Sequence, residues 1–172
     1  MRIELLDGSA PASDVDQLAQ LLIDTVEAGG SVSFVAPLPI KQADGWWRLT
    51  LSHQTSRGVI LVAREGDAIV GTVQLQPSWA PNQPHRADVA KLMVHPRARG
   101  QGVSRALMTM LEREAATRGF TLLVLDTVRG DPAEALYTSM GWQRVGVIPN
   151  FALHPDGRTM CDTVFFYKAL AR

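Results

Sequence analysis

The stretch "KLMVHPRARGQGVSRALM", Lys91 to Met108, decides how this chain is to be read. It begins as a strand: Leu92, Met93 and Val94 are apolar and run into Pro96, which has no N–H to continue a ladder. It ends as a helix: Val103, Ala106, Leu107, Met110 and Leu111 recur at helical spacing, and the pattern continues to Arg118. Three arginines (Arg97, Arg99, Arg105) and two glycines (Gly100, Gly102) crowd the corner between them. A sharp strand-to-helix turn leaves the first helical N–H groups without partners, and those donors together with the helix dipole attract an anion. Glycine lets the backbone approach that anion closely. Guanidinium groups match phosphate oxygens in charge and shape. The corner has the makeup of a pyrophosphate cradle.

Outward from this corner the chain alternates between the two periodicities. Upstream, "RIELL" reads as an opening strand, and Val15, Leu18, Leu21, Leu22 and Val26 mark a helix capped by Asp14 or Ser13 and stopped at Gly29 and Gly30. "SVSFVAPLPI" is a loop, and residues 41–54, with Trp46 and Trp47, form a second helix weakened by Gly45. "VILVARE" and "AIVGTVQLQP" flank Gly66-Asp67 as a β-hairpin, and "ADVAKLMVHP" is the next strand. Downstream, Arg118 and Gly119 suit a helix C-terminus, "TLLVLDTV" is apolar enough to be covered on both faces, and "DPAEALYTSMG" is a short helix. Its ends are explicit: Asp131 as N-cap, Pro132 at N1, Glu134 for a capping box, Gly141 as the stop. "WQRVGVIPNF" and "TVFFYKAL" close the chain as strands around "HPDGR". This order predicts an α/β chain folded as one domain over 1–172: a mixed, mostly antiparallel sheet of about seven strands with about four helices.

Composition limits the function. Lys plus Arg and Asp plus Glu number 17 each, so nothing favours a nucleic-acid partner. Cys161 is the single cysteine, which excludes an intrachain disulfide and a cysteine zinc cluster. His53, His85, His95 and His154 lack metal-like spacing, so no metal is expected. No signal segment or apolar run of membrane-spanning length is visible, and the expected location is cytoplasmic, away from membranes. A monomer or a homodimer fits the length equally well.

Two common phosphate motifs fail at the corner. A P-loop needs Lys-Ser or Lys-Thr after its last glycine, where Val103 and Ser104 stand; a dinucleotide fingerprint needs a small residue where Arg105 stands. What remains is R-x-x-G-x-G, read on Arg97, Gly100 and Gly102. With "AEALYTSMGW" about 35 residues on, this pattern resembles the GNAT superfamily of N-acetyltransferases, whose second motif is met by Ala133, Leu136, Tyr137, Gly141 and Trp142. The likeness covers about Val59 to Phe151 well. "TVEAGGSVSFVAPL", "RADVAKLMVHPRARGQG" and "PDGRTMCDTVFFYKAL" resemble segments of the tabtoxin-resistance acetyltransferases in particular, which does not make that toxin the substrate. Ser104 departs from the glycine of many relatives.

The resemblance implies acetyl-CoA as cosubstrate and a small-molecule amine as acceptor. It implies that Arg99, Gly100, Gln101, Gly102, Val103 and Ser104 bind the cosubstrate's pyrophosphate, with the main chain of Met93 and Val94 along its pantetheine arm. It assigns protonation of the departing thiolate to Tyr137. A carboxylate to hold or deprotonate the amine is sought in Asp88, which starts one strand, and Asp126, which ends another. Tyr137 also fits plain core packing, Asp88 pairing with Arg86 or Lys91, and Asp126 the capping of a turn. An acyl-CoA-sensing protein without turnover and an acetyltransferase for protein amines are the alternative functions.

Overall fold

Alternate residues along each interior strand are apolar on both sides, so the sheet must be covered on both faces. The computed structural model describes residues 1–171. Strands β1 (Arg2–Leu6), β2 (Val59–Glu65), β3 (Ala68–Pro77), β4 (Arg86–Val94), β5 (Leu122–Val128), β6 (Gln143–Leu153) and β7 (Met160–Ala169) form one sheet in the order β1-β2-β3-β4-β5-β7-β6. Only β4 and β5 are parallel neighbours. Helices α1 (Ala12–Glu27) and α2 (Ile40–Ser52) pack on one face, with Ile60, Val62 and Met93 of the sheet. Helices α3 (Val103–Thr117) and α4 (Pro132–Ser139) pack on the other, with Leu61, Val73, Val89 and Val94. A single 3-10 turn, η1 (Pro96–Ala98), joins β4 to the corner.

The expected element order holds throughout, and local details differ. Helix α1 begins at Ala12 with Pro11 as N-cap and no side-chain cap. Asp14 is instead buried in the first turn, 2.5 Å from Arg64 Nη2 of β2. A buried guanidinium selects the carboxylate here, because either charge left alone would be strongly destabilising. Gly45 does not break α2, since Ala43, Trp47 and Leu51 fasten that helix to the core. The buried face of α3 is Val103, Leu107, Met108, Leu111 and Ala115, rotated from the expected one, with Ala106 and Met110 at its margin. In α4 the Asp131 carboxylate caps Ala133 N–H as expected, but Glu134 accepts from Gly130 N–H rather than from the N-cap residue.

Two irregularities of β4 open the sheet. First, β4 carries a bulge: Ala90 faces Gln74 and Met93 faces Thr72, three steps on β4 against two on β3. The extra residue inverts the alternation, so Val89 and Val94 both join the core under α3 while Met93 turns to the core under α1. Lys91 sits in this bulge at φ 55°. Second, β4 and β5 pair only through Arg86–Leu122, Ala87–Leu123 and Asp88–Val124. Beyond Asp88 the two strands part, and among the described residues no strand lies against that edge of β4. Gly71 keeps α3 close to the opening: a Cβ there would stand 3.0 Å from Met93 O and 3.1 Å from Leu107 and Val103 side-chain carbons.

Candidate active site

The parting of β4 from β5 creates a cleft of about 800 Å³. Met93, Val94, Arg99, Gly100, Gly102, Val103 and Ser104 line one end together with Arg105 and the α4 residues Ala133, Leu136 and Tyr137. Gly29 to Ser33, Lys91, Asp126 and Thr163 line the other, beside Phe151 to Leu153 of β6.

At the corner end the main chain does most of the work. Gly102 is the N-cap of α3 at φ 80°, and Gly100 stands at φ 73°. Both values lie in the left-handed region that glycine enters without steric cost. Apart from the chain neighbours, no heavy atom of the described residues lies within 4 Å of where a Cβ would project from either residue, so a ligand can approach the backbone there. Arg99 lines this space, and its Nε donates to Val94 O at 3.3 Å. Arg105 Nη2 reaches Ser139 Oγ at 2.6 Å and ties α3 to α4. Arg97 and Gln101 are outside the lining; Gln101 Nε2 turns back to donate to Arg97 O at 3.0 Å. Of the pattern expected on Arg97, Gly100 and Gly102, the two glycines line the cleft and Arg97 does not, while Arg99 and Ser104 line it beside them. Unpaired helical N–H groups and two guanidinium groups around an open space suit a diphosphate.

Tyr137 is buried in the middle of the cleft wall. Its ring packs 6.0 Å from the Trp142 ring and 5.8 Å from the Phe166 ring. Trp142 is itself fixed by donating Nε1–H to Glu112 Oε1 at 2.8 Å. Tyr137 itself lines the cleft. Burial, and after it the charges of Asp131 and Asp126, raise its pKa well above that of an ordinary tyrosine. The group is held as a proton donor rather than a phenolate.

The two candidate carboxylates separate. Asp126 projects from β5 into the cleft, and Thr163 Oγ1 lies 2.9 Å from both Asp126 Oδ2 and Thr127 O. Asp88 sits where β4 and β5 are still paired, outside the lining, and Arg86 Nη1 holds its Oδ1 at 2.6 Å.

Lys91 was not among the expected site residues. Its signal was a charge inside the otherwise apolar run "VAKLMV". Its Nζ donates to Ser33 Oγ at 2.8 Å and lies 5.9 Å and 5.6 Å from the Phe34 and Trp46 rings. Burial lowers its pKa, and the charge of Asp126 partly opposes that fall. A non-glycine residue in the left-handed region costs about 1–3 kcal/mol, so its surroundings must impose it. Trp47 is core, and Trp46 packs on Phe34 without lining the cleft. His95 Nε2 lies 3.1 Å from Asp24 Oδ2, a contact between loop and helix. Among the described residues no group of His, Cys, Asp or Glu side chains gathers to hold a metal, and no helix is long and apolar enough to cross a membrane.

The chain is similar to known proteins. The Acetyltransferase (GNAT) family model matches residues 20–142. An uncharacterized N-acetyltransferase of Azospirillum brasilense is 31% identical over 126 residues, 72% of this chain and 73% of that protein. N-acetyltransferase 8F1 of Rattus norvegicus is 32% identical over 100 residues, 57% of this chain, and the match spans only 45% of the rat protein. Among solved structures, the putative acetyltransferase yncA of Salmonella typhimurium with its cofactor acetyl-CoA superposes with a TM-score of 0.77 at 17% identity, covering 98% of this chain and 94% of that one. At that identity the likeness concerns the fold.

Proposed function

The chain belongs to the Acetyltransferase (GNAT) family, and from that premise we propose that it transfers the acetyl group of acetyl-CoA to a small amine by direct attack, with both substrates in one cleft. The observation that carries this reading is the single cleft at the parting of β4 and β5, with the glycine–arginine corner at one end and Asp126 at the other, and Tyr137 in the wall.

The residues present fit acetyl-CoA. The clear space before Gly100 and Gly102 would take its pyrophosphate, with Val103 and Ser104 offering N–H groups and Arg99 and Arg105 adding charge. Gln101 would contribute main chain only, because its side chain is turned away. The unpaired edge of β4 at Met93 and Val94 would receive the pantetheine arm as a sheet edge receives an added strand. The bound cosubstrate supplies an acetyl group on a thioester.

In this reading the chain's own groups do three things. Asp126, oriented by Thr163, attracts the incoming ammonium and accepts its proton directly or through water. Main-chain N–H groups of Leu92, Met93 and Val94 would donate to the developing oxyanion. The Tyr137 hydroxyl, kept protonated by burial, gives its proton to the departing thiolate. Asp88 is left to Arg86. A small acceptor is favoured because Ala36 N–H donates to Pro155 O at 2.7 Å, which ties the α1–α2 loop to the β6–β7 turn beside the acceptor end. Free-thiol release from acetyl-CoA across a panel of amines tests the proposal. Turnover with at least one amine is expected; acetyl-CoA binding without turnover on any amine would favour an acyl-CoA-sensing protein.

A further inference from the structure

Building on the acetyltransferase reading, we propose that Lys91 and Ser33 form an anchor for a carboxylate on the acceptor, so that the acceptors are amino acids and related amino-carboxylates, held with the ammonium toward Asp126 and the carboxylate toward Lys91.

Lys91 and Ser33 come from different elements and meet at the cleft wall, Nζ to Oγ at 2.8 Å. Both residues are in the left-handed region, at φ 55° and φ 73°. Two such backbone outliers joined by one hydrogen bond in the lining of a cleft mark a position held for use rather than for packing. The β4 bulge is what delivers the lysine there, since it breaks the alternation that would otherwise govern the strand.

The surroundings leave the ammonium unsatisfied. Its neighbours are a hydroxyl and the faces of Phe34 and Trp46, the charge of Asp126 acts on it from farther off, and among the described residues it forms no direct ion pair. One of its three N–H donors is spent on Ser33, so others remain for a ligand. Ser33 accepts that bond and keeps its own proton free to donate. A half-buried cation with spare donors beside a free hydroxyl proton is complementary to a carboxylate. The charges are also segregated along the cleft. Arg99 and Arg105 stand with Asp131 at the corner end; at the acceptor end Lys91 and Asp126 are the charged lining residues, of opposite sign, as a zwitterion requires.

The test uses the full chain and acetyl-CoA with free L-amino acids, each beside its own carboxamide. Wild type is expected to favour the acids in kcat/KM by about tenfold or more, the worth of one charge-assisted hydrogen bond. Lys91→Met is expected to remove that preference through KM rather than kcat, while Lys91→Arg retains part of it. Acetyl-CoA affinity and the melting temperature report that each variant is folded, and both are expected to stay at wild-type values. Equal use of acids and amides by wild type, or an acid preference that survives Lys91→Met, overturns the carboxylate anchor alone. A loss of acetyl-CoA affinity in Lys91→Met also overturns it, because the lysine would then serve the cosubstrate. Absence of turnover with every amine overturns the acetyltransferase reading, and the anchor falls with it.

Discussion

At one end of the cleft, Arg99 to Arg105 present helical N–H groups and two guanidinium groups from one short run of sequence; at the other, Ser33, Lys91, Asp126 and Thr163 arrive from four separate elements. The corner end depends on backbone shape, with Gly100 and Gly102 at positive φ and nothing in front of them. The acceptor end depends on side chains, each held by one or two hydrogen bonds. The corner therefore offers chemistry shared by every ligand with a diphosphate, while the acceptor end sets identity and can change one residue at a time. Substitutions should have larger effects at the corner than at the acceptor end.

The largest effect belongs to Gly102→Asp. Asp tolerates positive φ better than most residues, so the fold should persist. Its carboxylate would enter the space before the helix, where repulsion from a phosphate about 4 Å away amounts to about 4 kcal/mol at an effective dielectric near 20. Acetyl-CoA affinity by calorimetry should fall by about 10²-fold or more, and the ligand-induced rise in melting temperature should vanish. Unchanged affinity would remove the corner from the site.

Tyr137→Phe comes next, at the junction of the two ends. It should lower kcat by about 10²-fold through loss of the proton donor, with acetyl-CoA affinity preserved. Stability should change by at most about 1 kcal/mol, because the substitution keeps the ring and its packing against Trp142 and Phe166. Burial raises the hydroxyl's pKa, so it stays protonated through the alkaline range in which an ordinary tyrosine titrates. The kcat profile should accordingly show no basic limb from Tyr137 within that ordinary titration range. Turnover near wild type would make Tyr137 a packing residue.

The two aspartates separate a carboxylate of the acceptor end from one outside the cleft. Asp126→Asn keeps an oxygen for the Thr163 hydroxyl but loses the charge and the proton acceptor, and should lower kcat and kcat/KM for amines together, by about 10²-fold. Asp88→Asn should leave turnover near wild type and cost at most about 1 kcal/mol, as its pair with Arg86 is partly exposed. The reverse ranking would move the ammonium site to the paired segment of β4 and β5.

The corner was legible because it is contiguous: a strand, two glycines, arginines and a helix follow one another, and α3 begins at Val103 as the spacing predicts. The α4 motif was legible for the same reason, since Asp131, Pro132 and Gly141 mark its ends. The register of the arginines was not, because Arg97 and Arg99 differ only in which way η1 turns them. Nor was the bulge, although Val89 and Val94, five residues apart, reach the same core only if one residue is extra. Lys91, Ser33 and Thr163 escaped because their roles arise from contacts between elements more than 30 residues apart.

The most direct measurement of the central claim follows backbone amide resonances during titration with acetyl-CoA alone and then with an acceptor amine. The account predicts that Met93, Val94, Gly100, Gly102 and Ser104 move with acetyl-CoA, and that Ser33, Lys91 and Asp126 respond strongly only when the amine is added. Acetyl-CoA shifts that avoid the corner, or none at millimolar concentration, would contradict it.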